Sequence, residues 1–238
     1  MGNDVVSRKV QLACWAATLL VFAGCTALRQ NLEPPAPGSP ARGQIEQLLA
    51  AVTVVAGRPE IPGYERGCRQ GQGCVFGPAW SDDTAAPGGH DGCDTRNNVL
   101  ARQLTKVEFR PGTRNCVVLA GELDDPYSGK TVEFTKANAG DVQIDHVYPL
   151  AAAWDFGAAS WPLEKRMEFA NDIDYNLLAV TGSINQSKSD DTPQSWLPPS
   201  KAYHCFYAGK YLTVAVQYQL PITEGDRAAL TRIAAGCD

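Results

Sequence analysis

The chain has 238 residues, of which 44% are hydrophobic and 20% charged, and its formal net charge is −5. This length suits one domain with a substantial core and is short for two. The composition is that of a globular protein. The acidic balance argues against a protein that holds nucleic acid mainly by bulk charge, although it leaves room for a metal-dependent enzyme that binds one phosphate locally.

The N-terminal residues are typical of an export signal. A pair of basic residues precedes an uncharged run over 12–24, which is too short to span a bilayer comfortably. The run ends in Phe-Ala-Gly-Cys at 22–25, which resembles a bacterial lipobox. We therefore expect a lipoprotein-type signal peptide over 1–24 and a lipid anchor at Cys25. A plainly cleaved signal and an uncleaved anchor are the alternatives, and all of these place the domain outside the cytoplasm.

A Pro-rich linker is predicted next, over 25–43, and a single domain over 44–238. The domain is expected to open with a short helix over 45–55. Glycine, proline and cysteine then dominate residues 57–92, which favours ordered loops with little regular structure.

Hydrophobic periodicity and turn residues predict the remaining elements. In chain order they are a helix over 99–107, strands over 116–123, 131–134 and 142–148, helices over 149–156 and 163–171, a short buried strand over 177–180, and closing helices over 201–219 and 223–235. Between the last strand and the closing pair, Ser183 and Gln186 fit a capping box, which predicts a helix beginning at Ile184.

Six cysteines remain once the two in the expected signal are set aside, and an even number in an exported chain indicates disulfides. Many pairings are possible. A short glycine-containing loop and an antiparallel pair of closing helices favour Cys68–Cys74 and Cys205–Cys237, which leaves Cys93–Cys116. A zinc site is the alternative, but the spacing is not that of a CxxC pair.

The residues between 143 and 190 carry the chemistry that phosphodiester hydrolysis needs. A base must deprotonate water, and a cation must stabilise the charged phosphate. His146 supplies a base, and the neighbouring Asp145 supplies a hard oxygen ligand for Mg²⁺ or Mn²⁺. Adjacent strand residues point to opposite faces, so both can serve one site only if the strand ends or bends here, as Pro149 indicates.

Three further residues extend this site. Asn185, in the first turn of the predicted helix, can provide a second oxygen ligand. Lys188 lies three residues later on the same helix face and is expected to contact a substrate phosphate. Arg96 is a second candidate for phosphate binding, although an arginine close to Asp94 is as often part of a structural ion pair.

The segments Asp145-His146-x-x-Pro149, Asn176-Leu177-Leu178 and Asn185-x-x-Lys188-Ser189-Asp190 resemble the HNH motif of ββα-metal nucleases. In particular, the chain is similar to HNH endonuclease proteins related to the C-terminal domain of GmrSD-type restriction enzymes, of the secreted actinobacterial type. This resemblance covers roughly residues 60–238.

The resemblance implies an α+β fold with a ββα-metal (HNH) core, added helices and a C-terminal helix hairpin. It implies His146 as general base, Asp145 and Asn185 as ligands of Mg²⁺ (or Mn²⁺), and Asn176 as a brace for the segment carrying His146. Asn185 replaces the final histidine of the motif. The expected function is a monomeric metal-dependent endonuclease acting on nucleic acid, with DNA favoured and no protein partner.

Two other functions fit the same residues. One is a catalytically inactive exported lipoprotein that uses this scaffold only for binding. The other is a metal-dependent hydrolase acting on a different phosphoester. Cleavage that EDTA abolishes would exclude the first, and a comparison of DNA, RNA and a small diester would address the second.

Overall fold

The computed structural model describes residues 34–238, and a compact unit runs from Pro35 to Asp238. The expected signal peptide over 1–24, the lipidation site Cys25 and the first part of the linker lie outside the described residues. Among the helices of residues 34–238, none is both long enough and apolar enough to cross a bilayer.

The domain begins earlier than its predicted first residue. The Ala36 amide donates to the Ala202 carbonyl at 2.8 Å, so the end of the expected linker packs on the domain. Helix α1 follows at Arg42–Ala51 and buries one face against the closing helices. Strand β1 (Val54–Val55) pairs in parallel with β7 (Ile222–Thr223), which lies close to the C-terminal end of the sequence.

A three-stranded antiparallel sheet and one helix form the next layer. After the loops over 57–92, their bounds are α2 at Thr95–Gln103, β2 at Thr105–Phe109, β3 at Val118–Asp124 and β4 at Thr131–Thr135. Strand β3 lies between β2 and β4, and a 3₁₀ turn at Lys136–Asn138 follows.

A second antiparallel pair and the helix after it occupy the centre of the molecule. Strand β5 (Val142–His146) pairs with β6 (Leu177–Thr181), and His146 lies opposite Leu177. Helices α3 (Leu150–Asp155) and α4 (Leu163–Asn171) connect the two strands, and α5 (Gly182–Lys188) follows β6 directly. The chain thus places two paired strands and a short helix side by side.

Two long helices close the fold, after a 3₁₀ turn at Lys201–Tyr203. Helix α6 runs over His204–Tyr218 and α7 over Glu224–Ala234, with β7 between them. Thr223 caps α7 by accepting from the Asp226 amide, and Asp226 in turn accepts from the Thr223 amide, a reciprocal capping box.

The β5–β6 pair lies between two hydrophobic cores, because its side chains alternate between faces. One face contributes Val142, Ile144, Leu177 and Ala179 to a core shared with α2 and the three-stranded sheet. The other contributes Leu178 and Val180 to the larger core of α1, α3, α4, α6 and α7. Burial on both faces fixes the register of the pair and therefore the positions of its end residues.

Three disulfides join the described cysteines, and they are the pairs that local reasoning favoured: Cys68–Cys74, Cys93–Cys116 and Cys205–Cys237. The last links the start of α6 to the residues after α7. The fold is therefore α+β and disulfide-linked, as predicted.

Three predicted helices had wrong boundaries. The first, expected over 45–55, spans Arg42–Ala51, and Val54–Val55 form strand β1 instead. The expected helix over 99–107 starts earlier, at Thr95, because the Asp94 carboxylate caps it by accepting from the Asn97 amide at 2.8 Å. It ends at Gln103, and the residues after it form β2, which was not predicted. Helix α5 begins at Gly182 instead of Ile184 and has no side-chain cap, so the Ser183 capping box does not form.

Candidate functional site

The site is built at the end of β5, where the strand stops and the chain bends. Asp145 and His146 are its last two residues and point to opposite faces, and the bend at Val147–Tyr148 follows immediately. Both side chains nevertheless line one cleft of about 600 Å³, together with Asn185 on α5. The strand end that Pro149 indicated therefore brings the three residues to a common opening.

Asp145 is buried, and both of its carboxylate oxygens are engaged. Lys188, at the end of α5, donates from Nζ to Asp145 Oδ1 at 3.0 Å and also to the His146 carbonyl at 3.0 Å. The Tyr127 hydroxyl donates to Oδ2. Burial, followed by the charge of Asp145, raises the pKa of Tyr127 well above its usual range, so Tyr127 remains a donor.

His146 is held in one orientation by two contacts. Its ring stacks on Trp80 with a centroid separation of 5.7 Å and an interplanar angle of 9°. Its Nε2 lies 2.8 Å from the Ala170 carbonyl. A carbonyl only accepts, so Nε2 carries the proton and Nδ1 is the basic nitrogen.

Burial lowers the pKa of His146 to about 3, and the positive charges of Arg66 and Lys188 act in the same direction. The ring is therefore neutral near pH 7 and able to accept a proton. A phosphate bound nearby would oppose the effect of these cations and raise the basicity of the ring.

Asn176 forms hydrogen bonds with the backbone of the segment that follows His146. It lies just before β6, and its Oδ1 accepts from the Tyr148 amide at 2.9 Å. Its Nδ2 donates to the Tyr148 carbonyl at 3.4 Å, and its own carbonyl accepts from the Val147 amide at 2.9 Å. Asn176 is fully buried, so these bonds fix the bend that ends β5.

Asn185 faces the cleft from α5. Its Nδ2 donates to Gln143 Oε1 at 3.0 Å, which leaves its own side-chain oxygen without a protein partner among residues 34–238. Gln143 precedes Asp145 by two residues on β5, so both point to the face that α5 covers. The cleft thus presents a carboxylate and an amide oxygen on neighbouring elements.

The donor set fits a hard divalent cation. Carboxylate and amide oxygens are ligands that Mg²⁺ and Mn²⁺ accept, and each Asp145 oxygen retains a lone pair beside its hydrogen bond. Within the described part of the chain, no three His, Cys, Asp or Glu residues gather into a ready-made metal cluster. Asp145 and Asn185 are therefore the residues that would hold an ion here, with water completing its shell.

Comparison with known proteins gives this arrangement a context. Residues 94–233 match the model of the family described as GmrSD restriction endonucleases, C-terminal domain. The chain belongs to this GmrSD C-terminal domain family. It is also 36% identical over 223 residues to an uncharacterized secreted protein of Arthroderma benhamiae, an alignment that covers 92% of this chain and 98% of the relative. No solved structure matches it.

Membership of the GmrSD C-terminal domain family indicates a nuclease. The matched range contains Asp145, His146, Asn176 and Asn185, the four residues that the sequence predicted as catalytic. It does not reach Arg66, which lines the same cleft from a loop before α2.

Two predicted phosphate contacts are not presented to the cleft. Lys188 is fully buried, with its ammonium group between Asp145 and the His146 carbonyl, so it is not positioned to reach a substrate. Arg96 donates to the carbonyls of Ala139 and Val142 at 2.9 and 2.8 Å and does not line the cleft. In this GmrSD-family structure both cations have structural partners instead.

Sequence reasoning missed four residues of the site, and one of them is Trp80, whose ring stacks on His146. Tyr127 was recognised only as part of a turn, although its hydroxyl binds Asp145. Gln143 could have been found, because it shares the face of Asp145 by strand alternation. Arg66 gave no local signal, since it lies in a loop far from the motif in sequence.

Proposed function

We propose that this protein is an exported, metal-dependent HNH-type endonuclease that hydrolyses phosphodiester bonds in nucleic acid, with DNA favoured. The observation that carries the proposal is the neutral His146 ring, fixed by Ala170 and Trp80, beside the oxygen ligands Asp145 and Asn185. The sequence of two antiparallel strands and a helix, β5, β6 and α5, supports a ββα-metal core.

In the proposed reaction, Nδ1 of His146 takes a proton from a water molecule, and the resulting hydroxide attacks phosphorus. The bond to the 3′ oxygen breaks, and the product keeps a 5′ phosphate. Asp145 and Asn185 would hold Mg²⁺ (or Mn²⁺), which when bound supplies positive charge at the phosphate and the leaving oxygen. Asn176 keeps the bend after His146 in place, so that the ring and the ligands stay aligned.

Export is part of the proposal. Three disulfides require an oxidising compartment to form and persist, and the Arthroderma relative is described as secreted. Because residues 22–25 resemble a lipobox, we also propose that Cys25 is lipidated, which would tether a monomeric enzyme to a membrane surface. Mass spectrometry of the mature N-terminus tests this, since a lipidated Cys25 would carry the mass of its acyl chains.

The deciding experiment is nicking of plasmid DNA by the purified oxidised protein with Mg²⁺, with EDTA, and with two histidine variants. His146→Ala should lower the cleavage rate about 10²–10⁴-fold, because a general base contributes a factor of that order. His90→Ala is the matched control, since His90 is exposed and does not line the cleft. Unchanged nicking by the folded His146→Ala protein would reject the assignment of the base.

The same assay separates the competing functions. An inactive binding lipoprotein would show no cleavage under any condition. A hydrolase for another phosphoester would spare both DNA and RNA and cleave a small diester in a Mg²⁺-dependent way. RNA and DNA run in parallel also determine which nucleic acid is preferred.

A further inference from the structure

A short disulfide-closed hairpin carries Arg66 into the cleft. We call residues 65–75 the Arg66 loop. Its two sides are joined by backbone hydrogen bonds from Cys74 to Gly67 at 2.9 Å and from Val75 to Glu65 at 3.1 Å. Arg66 lies between the two paired positions. The disulfide between Cys68 and Cys74 closes the hairpin just beyond them, so the backbone at Arg66 is fixed from both directions.

The ends of the Arg66 loop contact helix α3 and helix α4, and α4 is the helix that orients His146. Tyr64 and Phe76, the residues on either side of the loop, each place their ring centroid 6.3 Å from that of Trp154 on α3. Arg166 on α4 donates to the Val75 carbonyl at the end of the loop. Helix α4 also provides the Ala170 carbonyl that orients His146, so the loop and the histidine share one support.

The Arg66 side chain is exposed and borders two openings. It lines the 600 Å³ cleft with Asp145 and Asn185, and it also lines an adjoining cavity of about 180 Å³ with Trp80; His146 borders both. Among the described residues that line either opening, Arg66 is the only arginine or lysine. No carboxylate lies within ion-pair distance of its guanidinium group in residues 34–238.

A second arginine near the cleft, Arg58, is held in ion pairs with the protein itself and so has a structural role. Arg58 contacts Asp155 at 2.6 Å and Asp190 at 3.0 Å, and the latter residue lines the same cleft. The acidic side chain at the rim is therefore already paired with Arg58, which it shares with Asp155. The charge of Arg66 remains available to a ligand.

We propose that Arg66, positioned by the disulfide-closed Arg66 loop, binds a phosphate of the nucleic-acid substrate at the site of His146. The inference rests on the proposed nuclease function and names the residue that holds the anion in a protein whose net charge is negative. A guanidinium group matches a phosphate through two parallel hydrogen bonds, which a lysine does not reproduce. Arg66 thus takes the role that the sequence had assigned to Lys188 and Arg96.

The test measures binding without turnover, using fluorescence anisotropy of a labelled DNA duplex in EDTA. Arg66→Met should weaken binding about 10–100-fold, the range for losing a charge-assisted hydrogen bond. It should also reduce the slope of log Kd against log salt by about 1, the change expected when one phosphate contact is lost. Arg66→Lys should keep the slope of log Kd against log salt, because the positive charge remains. It should lose part of the affinity, because lysine lacks the two parallel N–H donors of the guanidinium group.

Arg69→Met is the matched control, because Arg69 lies in the same loop, is exposed and does not line the cleft. It should leave affinity within about twofold, as surface charges away from the ligand contribute little. Equal effects of Arg66→Met and Arg69→Met, with wild-type cleavage intact, would overturn the inference and leave the nuclease assignment standing. A wild-type protein that neither binds nor cleaves nucleic acid would overturn both.

The contribution of the disulfide is tested separately. Replacing Cys68 and Cys74 together by serine should weaken duplex binding several-fold, and adding Arg66→Met should then cost less than it does in the wild type. Such non-additivity is expected when one change acts through the other. Full affinity in the double serine variant would show that the hairpin does not need its disulfide to position Arg66.

Discussion

Two cations lie near the end of β5, one on helix α5 and the other on the Arg66 loop, and their surroundings differ. Lys188 is fully buried, and its ammonium group is shared between the Asp145 carboxylate and the His146 carbonyl. Arg66 is exposed, without a carboxylate partner among the described residues, and faces the cleft. The first holds two strand residues in place, while the second is available to bind a ligand.

This difference shows how burial divides roles among residues of the same charge. A charge removed from water requires a partner, and once paired it is committed to the fold. A cation that is to bind a substrate must instead keep its hydration until the substrate arrives. Lys188 is the last residue of α5, which packs on β5, and this position gives it the first role.

The largest effect should come from Lys188→Met. This change leaves the Asp145 carboxylate buried without its cation, which typically lowers the free energy of unfolding by about 3–5 kcal/mol. Urea denaturation at neutral pH measures the loss. Adding Asp145→Asn should restore part of it by removing the uncompensated charge. A Lys188→Met protein as stable as the wild type would mean that the lysine is not confined to its buried pair.

A smaller effect is expected for Arg96→Met. The guanidinium group is half-buried and donates to the Ala139 and Val142 carbonyls, so its removal should cost about 1–3 kcal/mol of stability. Duplex affinity and its salt dependence should stay at wild-type values, in contrast to Arg66→Met. A reduced slope of log Kd against log salt for Arg96→Met would instead show that Arg96 contacts the substrate.

The smallest effect concerns Lys210, a cation with an intermediate environment. Burial lowers the pKa of Lys210 from 10.5 to about 8. Between these two values the unfolded chain binds more protons than the folded chain, so this group makes stability rise with pH. Lys210→Met should remove that rise, as measured by denaturation at a series of alkaline pH values. Lys201→Met, at an exposed position, should retain it.

The central elements of the fold could be predicted because their signals are local. The apolar run after Asn176 and the turn residues around Asp125 marked strands that the structure contains. The short spacing of Cys68 and Cys74 and the antiparallel closing helices favoured two of the observed disulfides, and the third pair remained. Strand β2 was missed because Val107 was assigned to the preceding helix, although residues 106–109 alternate between polar and apolar as a strand does. The start of α2 was placed too late, although the Asp94 cap was legible in the sequence.

The site was predictable only as far as its residues lie close together in the chain. Asp145, His146 and Asn185 could be grouped because the first two lie at the predicted end of a strand and the third lies in the first turn of a predicted helix. Whether a cation such as Lys188 points into the cleft or beneath it depends on tertiary packing, which spacing does not report. Arg66 reaches the site through a disulfide loop held on α3 and α4, so its role emerges only when those helices are in place.

The cross-links also shape the chain before it folds. Cys205–Cys237 joins residues 32 apart, whereas Cys68–Cys74 joins residues 6 apart. Loop-closure entropy assigns the long link roughly 3.5–4 kcal/mol and the short one roughly 2–2.5 kcal/mol, both by restricting the unfolded ensemble. The oxidised chain therefore never becomes a free coil. Even fully denatured, it retains closed rings over 68–74, 93–116 and 205–237, which shorten the search that refolding must make.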